Sequence, residues 1–244
     1  MQNTSYIALS RQAALSRHMD AIANNMANAN TVGYKGEKMM FAQYLVRSPS
    51  EQNRLGDKIA FVHDVGLVRD TRQGSLTHTN DPLDVALNGD GYMVVDTPAG
   101  QRYTRAGHFR MDETGMLVTP DGYPVLQQGD QPIVFAPNET RIEIGNTGQI
   151  STENGAIGRL KVVRFENPQQ LENIGGGLYA TTAQSEDVAR PDVVQGAVEE
   201  SNVQPIQEMT DMITVQRNYE AVTRVLENEQ DRQLKAFQVL NKTA

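Results

Sequence analysis

The 244-residue chain sets 22 lysine and arginine side chains against 30 aspartate and glutamate side chains, and its formal net charge of -8 repels a phosphate backbone and argues against a nucleic-acid role. It has no cysteine, which excludes disulfides, thiolate metal sites and thiol nucleophiles. Hydrophobic residues make up 39%, a share low for a compact enzyme, and no apolar run approaches the ~18 residues of a membrane span. The N-terminus lacks a basic and an apolar leader region, so no cleaved signal is expected, although export routes that use an uncleaved N-terminus leave no such mark.

Residues 1–29 contain neither Gly nor Pro, and Met1, Ala8, Leu15, Ile22 and Ala29 recur with heptad spacing, with Met19 and Met26 interleaved. This predicts a helix with one narrow apolar stripe. Its end, ANNMANANTVGYK from Ala23 to Lys35, crowds Asn24, Asn25, Asn28 and Asn30 into the last turns. Their amides can both donate and accept, fixing the register of a packed neighbour, while Ala23, Ala27 and Ala29 allow close approach. Asn30 and Gly33 are expected to take the left-handed conformations that end the helix. A frayed cap on a surface helix is the plain alternative.

Residues 31–80, rich in Gly, Ser, Asn, Gln and charge, read as an extended connector. From 81 to 180 the texture changes. Turn pairs at Asn88-Gly89, Asp90-Gly91, Ala99-Gly100, Thr114-Gly115, Asp121-Gly122, Thr147-Gly148 and Asn154-Gly155 separate short runs: YMVVD from Tyr92, MLV from Met116, PIVF from Pro132, IEI from Ile142 and LKVVRF from Leu160. That pattern predicts an all-β domain of hairpins and meanders over 81–180. Residues 181–199 read as a second connector.

No Gly follows Gly196 and no Pro follows Pro205, and Ile206, Met209, Met212, Tyr219, Val222, Leu226, Phe237 and Leu240 trace a second apolar seam. A helix therefore starts near residue 202, capped either by Ser201 with Gln204 or by Asn202 with Pro205 in the first turn. Run from Pro205 to Asn241, it would be about 55 Å long at ~1.5 Å per residue. Narrow stripes at both termini suit helices that pack on each other or on neighbouring copies, as in a coiled coil. Basic residues outnumber acidic ones in 1–48, and the reverse holds in 198–244, which favours that pairing modestly. The fold class is α+β: paired long N- and C-terminal helices, coiled-coil-like, in a terminal assembly domain of 1–30 and 200–244, with an inserted all-β domain.

Sites for chemistry are weak. His18, His63, His78 and His108 show no metal-ligand spacing. DVALNGDG resembles a calcium loop but lacks two oxygen ligands, and in NIGGGLYA no Lys-Ser/Thr follows the glycines and Leu178-Tyr179-Ala180 reads as a strand rather than a helix start. Asp81, Asp84, Asp90 and Asp96 cluster without the spacing or aromatic platforms of a glycosidase. Met26, Met209 and Met212 fall at helical positions that suit adaptable packing rather than a soft-metal site. No metal and no cofactor is expected.

DAIANNMANANTVGYKGEKMMF and QGAVEESNVQPIQEMTDMITVQRNYEAV resemble the two terminal signatures of the flagellar rod and hook family of bacteria. LNGDGYMVVDTPAGQRYTRAGHFRMDETGMLVTPDGYPVLQ and NGAIGRLKVVRFENPQQL are similar to segments of its β domain, so the likeness spans nearly the whole chain. The modest length and the tail TRVLENEQDRQLKAFQVLNK favour the proximal-rod branch over the distal-rod and hook branches. The resemblance implies a structural, non-enzymatic subunit of the basal-body rod, the shaft that carries motor torque across the periplasm, with no small-molecule substrate. Implied partners are other proximal and distal rod proteins, copies of the chain itself and the flagellar type III export apparatus. Subunit contacts are then expected from Leu15, Met19, Ile22, Ala23, Asn24, Asn25, Met26, Ala27, Asn28, Asn30, Gly33, Tyr34 and Lys35, and from Met209, Met212, Ile213, Gln216, Arg217, Tyr219, Val222 and Leu226. The terminal helices are expected to gain order on assembly. From another class, a secreted carbohydrate-binding or hydrolytic β domain with helical oligomerisation arms is the alternative.

Overall fold

A computed structural model describes residues 2–50, 53–136, 139 and 141–242, with side chains outside 2–4, 41–65, 236–237 and 239–242. Met1, and the Phe237 and Leu240 side chains of the second seam, lie outside the described set. The chain divides into two compact units: Met1–Ala27, Glu37–Arg69 and Gln204–Ala244 form the first, and Asn28–Gly36 with Asp70–Val203 the second. With helices at both ends and a mostly β middle, the class is α+β.

The first unit holds helices α1 (Gln2–Ala27) and α2 (Pro205–Lys242) and strands β1 (Glu37–Ser50) and β2 (Asn53–Arg69). Both helices fall where the sequence places them, since neither contains Gly and the one Pro occupies the first turn of α2, where its missing N–H has no intrahelical partner to lose. The two proposed caps of α2 are not used. The Ser201 hydroxyl accepts from the Val203 amide, and the Asn202 side chain bonds main chain elsewhere, while the Glu208 amide closes the first turn on the Gln204 carbonyl at 3.1 Å.

Strands β1 and β2 form a long antiparallel hairpin, where a connector was expected. Glu37 stands opposite Arg69, and the Arg69 Nη2 donates to Glu37 Oε1 at 3.1 Å across its open end. Runs such as AFVHDVGLV carry the β-branched and aromatic character of a strand, which the polar composition of the wider segment diluted.

The second unit is built from β3 (Leu76–His78), β4 (Val85–Asn88), β5 (Tyr92–Thr97), β6 (Gly100–Thr104), β7 (Arg110–Met111), β8 (Leu117–Val118), β9 (Ile142–Ile144), β10 (Gln149–Thr152), β11 (Gly155–Arg159), β12 (Val162–Arg164), β13 (Glu172–Gly175), β14 (Leu178–Ala180), β15 (Glu186–Asp187), β16 (Asp192–Gln195) and β17 (Ala197–Glu199). Six strands make one sheet in the order β13-β14-β6-β5-β12-β15, and β11-β10-β9 make another. Strand β5 is buried on both faces. Met93 and Val95 enter the larger core with Phe109, Ile133 and Ile150, while Tyr92 and Val94 enter a second with Phe165, Leu171 and Tyr179. A strand covered on both sides needs an unbroken apolar run, and YMVV supplies it.

The glycines of the seven turn pairs all adopt positive φ. PIVF forms no regular strand, only bridges of Pro132 to Leu126 and Val134 to Met116. The second expected connector also pairs, because β16 lies on β4 and β17 on β3, so the chain leaving this unit is zipped to the chain that begins its β region.

Candidate assembly site

Along α2, Glu208, Met212, Val215, Tyr219, Val222, Leu226 and Glu229 are buried or half-buried and alternate four and three apart, with Thr223 half-buried beside Val222. That spacing draws one narrow stripe. On α1, Ala8, Gln12, Leu15, Met19, Ile22 and Met26 repeat the same spacing, buried or half-buried. The helices pack on each other within their unit, and Gln12 Nε2 donates to Thr223 Oγ1 at 3.2 Å while that hydroxyl donates to the Tyr219 carbonyl at 3.0 Å. The other side of α2 is bare: Ile206 is 83% exposed, and Met209 and Ile213 follow it at helical spacing, both exposed.

The structure sorts the expected contact residues into three groups. Leu15, Met19, Ile22 and Met26 on α1, with Met212, Tyr219, Val222 and Leu226 on α2, lie on the two covered stripes. Ala23, Asn24, Ala27, Asn30, Met209, Ile213, Gln216 and Arg217 are exposed, and Asn28 is half-buried. Asn25, Gly33, Tyr34 and Lys35 are buried within the chain itself.

Asn25 shows why. It is 2% exposed, its Nδ2 donates to the Glu37 carbonyl at 2.8 Å and its Oδ1 accepts from the Glu37 amide at 2.9 Å. The amide pairs with main chain as a neighbouring strand would, fixing where the hairpin starts against α1. Asn30 does not take the expected left-handed conformation, whereas Gly33 does, at φ 69°. A helix that ends through Asn28–Thr31 hydrogen bonding needs only one left-handed residue, and a Cβ on Gly33 would stand 2.4 Å from the Arg105 carbonyl carbon, so glycine is required there on two counts.

Gly33 belongs to a buried polar knot in the second unit that the spacing of its members in sequence conceals. Glu199, 0% exposed, receives the Lys35 ammonium on Oε1 and Arg105 Nη1 on Oε2 at 3.1 Å. The Gly74 amide also donates to Oε1 at 3.0 Å, and the Glu199 carbonyl accepts from the Gly33 amide at 2.7 Å. Lys35 makes a further bond to the Arg72 carbonyl at 2.8 Å. Burial pushes the Lys35 ammonium below the ordinary lysine range, while Glu199 pulls it back up. Nearby, Asn202 accepts from the Gly36 amide at 2.8 Å and donates to the Asp70 and Arg72 carbonyls at 2.8 and 2.9 Å. The segment that follows α1 and the segment that precedes α2 are thus tied together inside one unit.

Catalytic geometry is not assembled by the carboxylates considered from sequence. Asp84 is buried and engaged by Thr79 and His108 at 2.6 Å each, Asp81 accepts from the Leu83 amide, and of the four only Asp90 lines a cleft of about 490 Å³, with Tyr92, Arg164 and Glu166. Among the described residues no group of three or more His, Cys, Asp or Glu side chains is placed to hold a metal, and no helix is long and apolar enough to cross a membrane.

Three sequence families match this chain. Residues 6–35 match the family described as flagella basal body rod protein, 86–152 the flagellar hook protein FlgE/F/G D1 domain, and 194–239 the flagellar basal body rod FlgEFG protein C-terminal region. The chain is 36% identical to the flagellar basal-body rod protein FlgF of Caulobacter vibrioides over 99% of both chains. It is 35% identical to FlgF of Rhizobium meliloti over 98% of both, and 34% identical to the rod protein FlgG of Caulobacter vibrioides over 90% of this chain and 92% of that one.

Proposed function

The chain belongs to the flagellar basal-body rod family and is a structural subunit of that rod, most like FlgF, and from this premise we propose that it is a proximal-rod subunit that assembles through its terminal helices. The observation that carries the proposal is the two-sided character of α2: one stripe is covered by α1, and a second, led by Ile206, Met209 and Ile213, has no cover within its unit. A helix apolar on two sides suits packing both inside a subunit and between subunits. The pairing of α1 with α2 is coiled-coil-like, and the exposed members of the contact set, Asn24, Ala27, Met209, Ile213, Gln216 and Arg217 among them, face neighbouring rod proteins or further copies of the chain. The buried knot around Glu199 and the β unit carry the fold and no catalysis. The chain travels through the flagellar type III export apparatus and folds fully on joining the rod.

Purified basal bodies carrying an epitope-tagged chain test this. Label confined to the rod segment nearest the membrane ring is expected. Label at the distal rod would transfer the chain to that position, and basal bodies lacking it altogether would defeat the assignment.

A further inference from the structure

Within the first unit, α1 and the base of the hairpin enclose an open groove of about 420 Å³, floored by Ala21, Met39 and Leu67 beside Gly66. Met39 is half-buried, Leu67 is exposed, and a Cβ on Gly66 would meet nothing within 4 Å, so the groove is roomy where it is most apolar. Asp20 stands on its rim, exposed and without an ionic partner among the described residues, whereas Arg17 on the same rim is already engaged. The bare side of α2 has the complementary character. Ile206, Met209 and Ile213 form an apolar ridge, and one turn beyond Ile213 lies Arg217, exposed and likewise without an ionic partner among the described residues.

We infer that the groove between α1 and the hairpin receives the Ile206–Met209–Ile213 ridge of a second copy of this chain, with Arg217 of that copy meeting Asp20. The inference rests on the rod-subunit reading and specifies which two surfaces meet. Ridge and groove are different patches of the same molecule, so the contact is heterologous, and a heterologous contact propagates from copy to copy instead of closing into a symmetric dimer. Propagation is what a shaft needs. Burial of the ridge supplies the apolar driving force, and the Asp20–Arg217 pair fixes register and rejects misdocked copies.

Photo-crosslinking in assembled basal bodies tests the inference. With Met209 replaced by p-benzoylphenylalanine, illumination is expected to give an adduct of two copies, mapped to peptides containing Ala21, Met39 or Leu67. Charge reversal supplies the second readout: Asp20→Arg and Arg217→Asp are each expected to cut incorporation several-fold, and the double variant to restore it. Both residues are exposed, so the fold is left intact. An adduct to a different rod protein, an adduct elsewhere on the second copy, or failure of the double variant to recover would overturn the pairing while leaving the rod assignment standing. Basal bodies that lack the unsubstituted chain would overturn that assignment itself, and the pairing with it.

Discussion

Asn25 pairs with Glu37 through both faces of its amide, donating to the carbonyl at 2.8 Å and accepting from the amide at 2.9 Å, at the point where the hairpin meets α1. Both backbone groups are thereby satisfied away from full solvent, and leucine at position 25 would leave them without partners. Asn25→Leu is expected to cost the first unit about 1–3 kcal/mol, against less than about 0.5 kcal/mol for Asn24→Leu at the exposed neighbouring site. Chemical denaturation of the two variants, followed by hydrogen exchange across 2–27 and 37–69, decides the matter. Equal stabilities would show that the Asn25 amide contributes nothing locally.

Glu199 faces two buried cations, Lys35 and Arg105. Its replacement by glutamine leaves both charges desolvated and uncompensated, for an expected loss of about 3–5 kcal/mol in the second unit. Adding Lys35→Met removes one of those charges and is expected to recover part of the loss. A double variant no more stable than Glu199→Gln would mean that Lys35 is indifferent to the carboxylate.

The terminal helices and several of the β strands were legible because each has a short-range cause. Heptad stripes with no Gly and no interior Pro give α1 and α2, and turn glycines between short β-branched or aromatic runs give β5, β9, β12 and β14. What stayed hidden depends on partners far away in sequence. Lys35, Arg105 and Glu199 carry no mutual spacing, and Asn202, a plausible helix cap on local grounds, instead bonds to main chain at Gly36, Asp70 and Arg72. The hairpin was obscured by composition, since polar residues of the whole 31–80 segment outweighed its short apolar runs, MMFA and YLV in β1 and IAFV in β2. Of the asparagine run, sequence alone could not separate Asn25, turned inward, from Asn24, turned outward.

Gly33 and Gly122 separate two reasons for glycine. Both have positive φ, but a Cβ at 33 would stand 2.5 Å from the Ala106 amide nitrogen, whereas one at 122 meets nothing within 4 Å. Gly122→Ala is expected to cost only the left-handed conformation, about 1 kcal/mol, and Gly33→Ala to cost markedly more because the backbone around Arg105 must move. Thermal melts of the two variants should be well separated. A Gly33→Ala protein melting with Gly122→Ala would show that the close approach relaxes freely.

Asp112 accepts from the Thr114 hydroxyl at 2.7 Å and from the Thr114 and Met116 amides at 2.8 Å each, and the hydroxyl is the leading reason its carboxyl sits below the ordinary aspartate value of 3.8. Glu200 is lowered likewise, first by the Thr77 hydroxyl and then by that of Ser75. For a carboxylate depressed on folding, the unfolded chain binds the extra proton, so the contribution to stability is complete above the unfolded pKa and disappears as pH falls through the folded value. Carbon-detected NMR titration should find both carboxyls still ionised where free side chains are half protonated. Asp112→Asn, which keeps an acceptor oxygen, should flatten its share of the acid-side loss, and an unchanged acid profile would assign that loss to other groups.

Val222 and Val225 lie less than one turn apart on α2, the first buried on the stripe shared with α1 and the second half exposed. Packing alone distinguishes them, since their side chains and helix propensities are identical. Val222→Ala is expected to cost about 1–3 kcal/mol and to speed amide exchange in both helices together, because the stripe couples them, while Val225→Ala should stay within about 0.5 kcal/mol of the parent. The exchange measurement on the free chain has a second use. If α1 and α2 pair only weakly before assembly, their amides will exchange faster than those of β5 and β12, and Val222→Ala will widen the gap. Protection in α1 and α2 equal to that of the β unit, and insensitive to Val222, would show that neither helix waits on a partner subunit for its order.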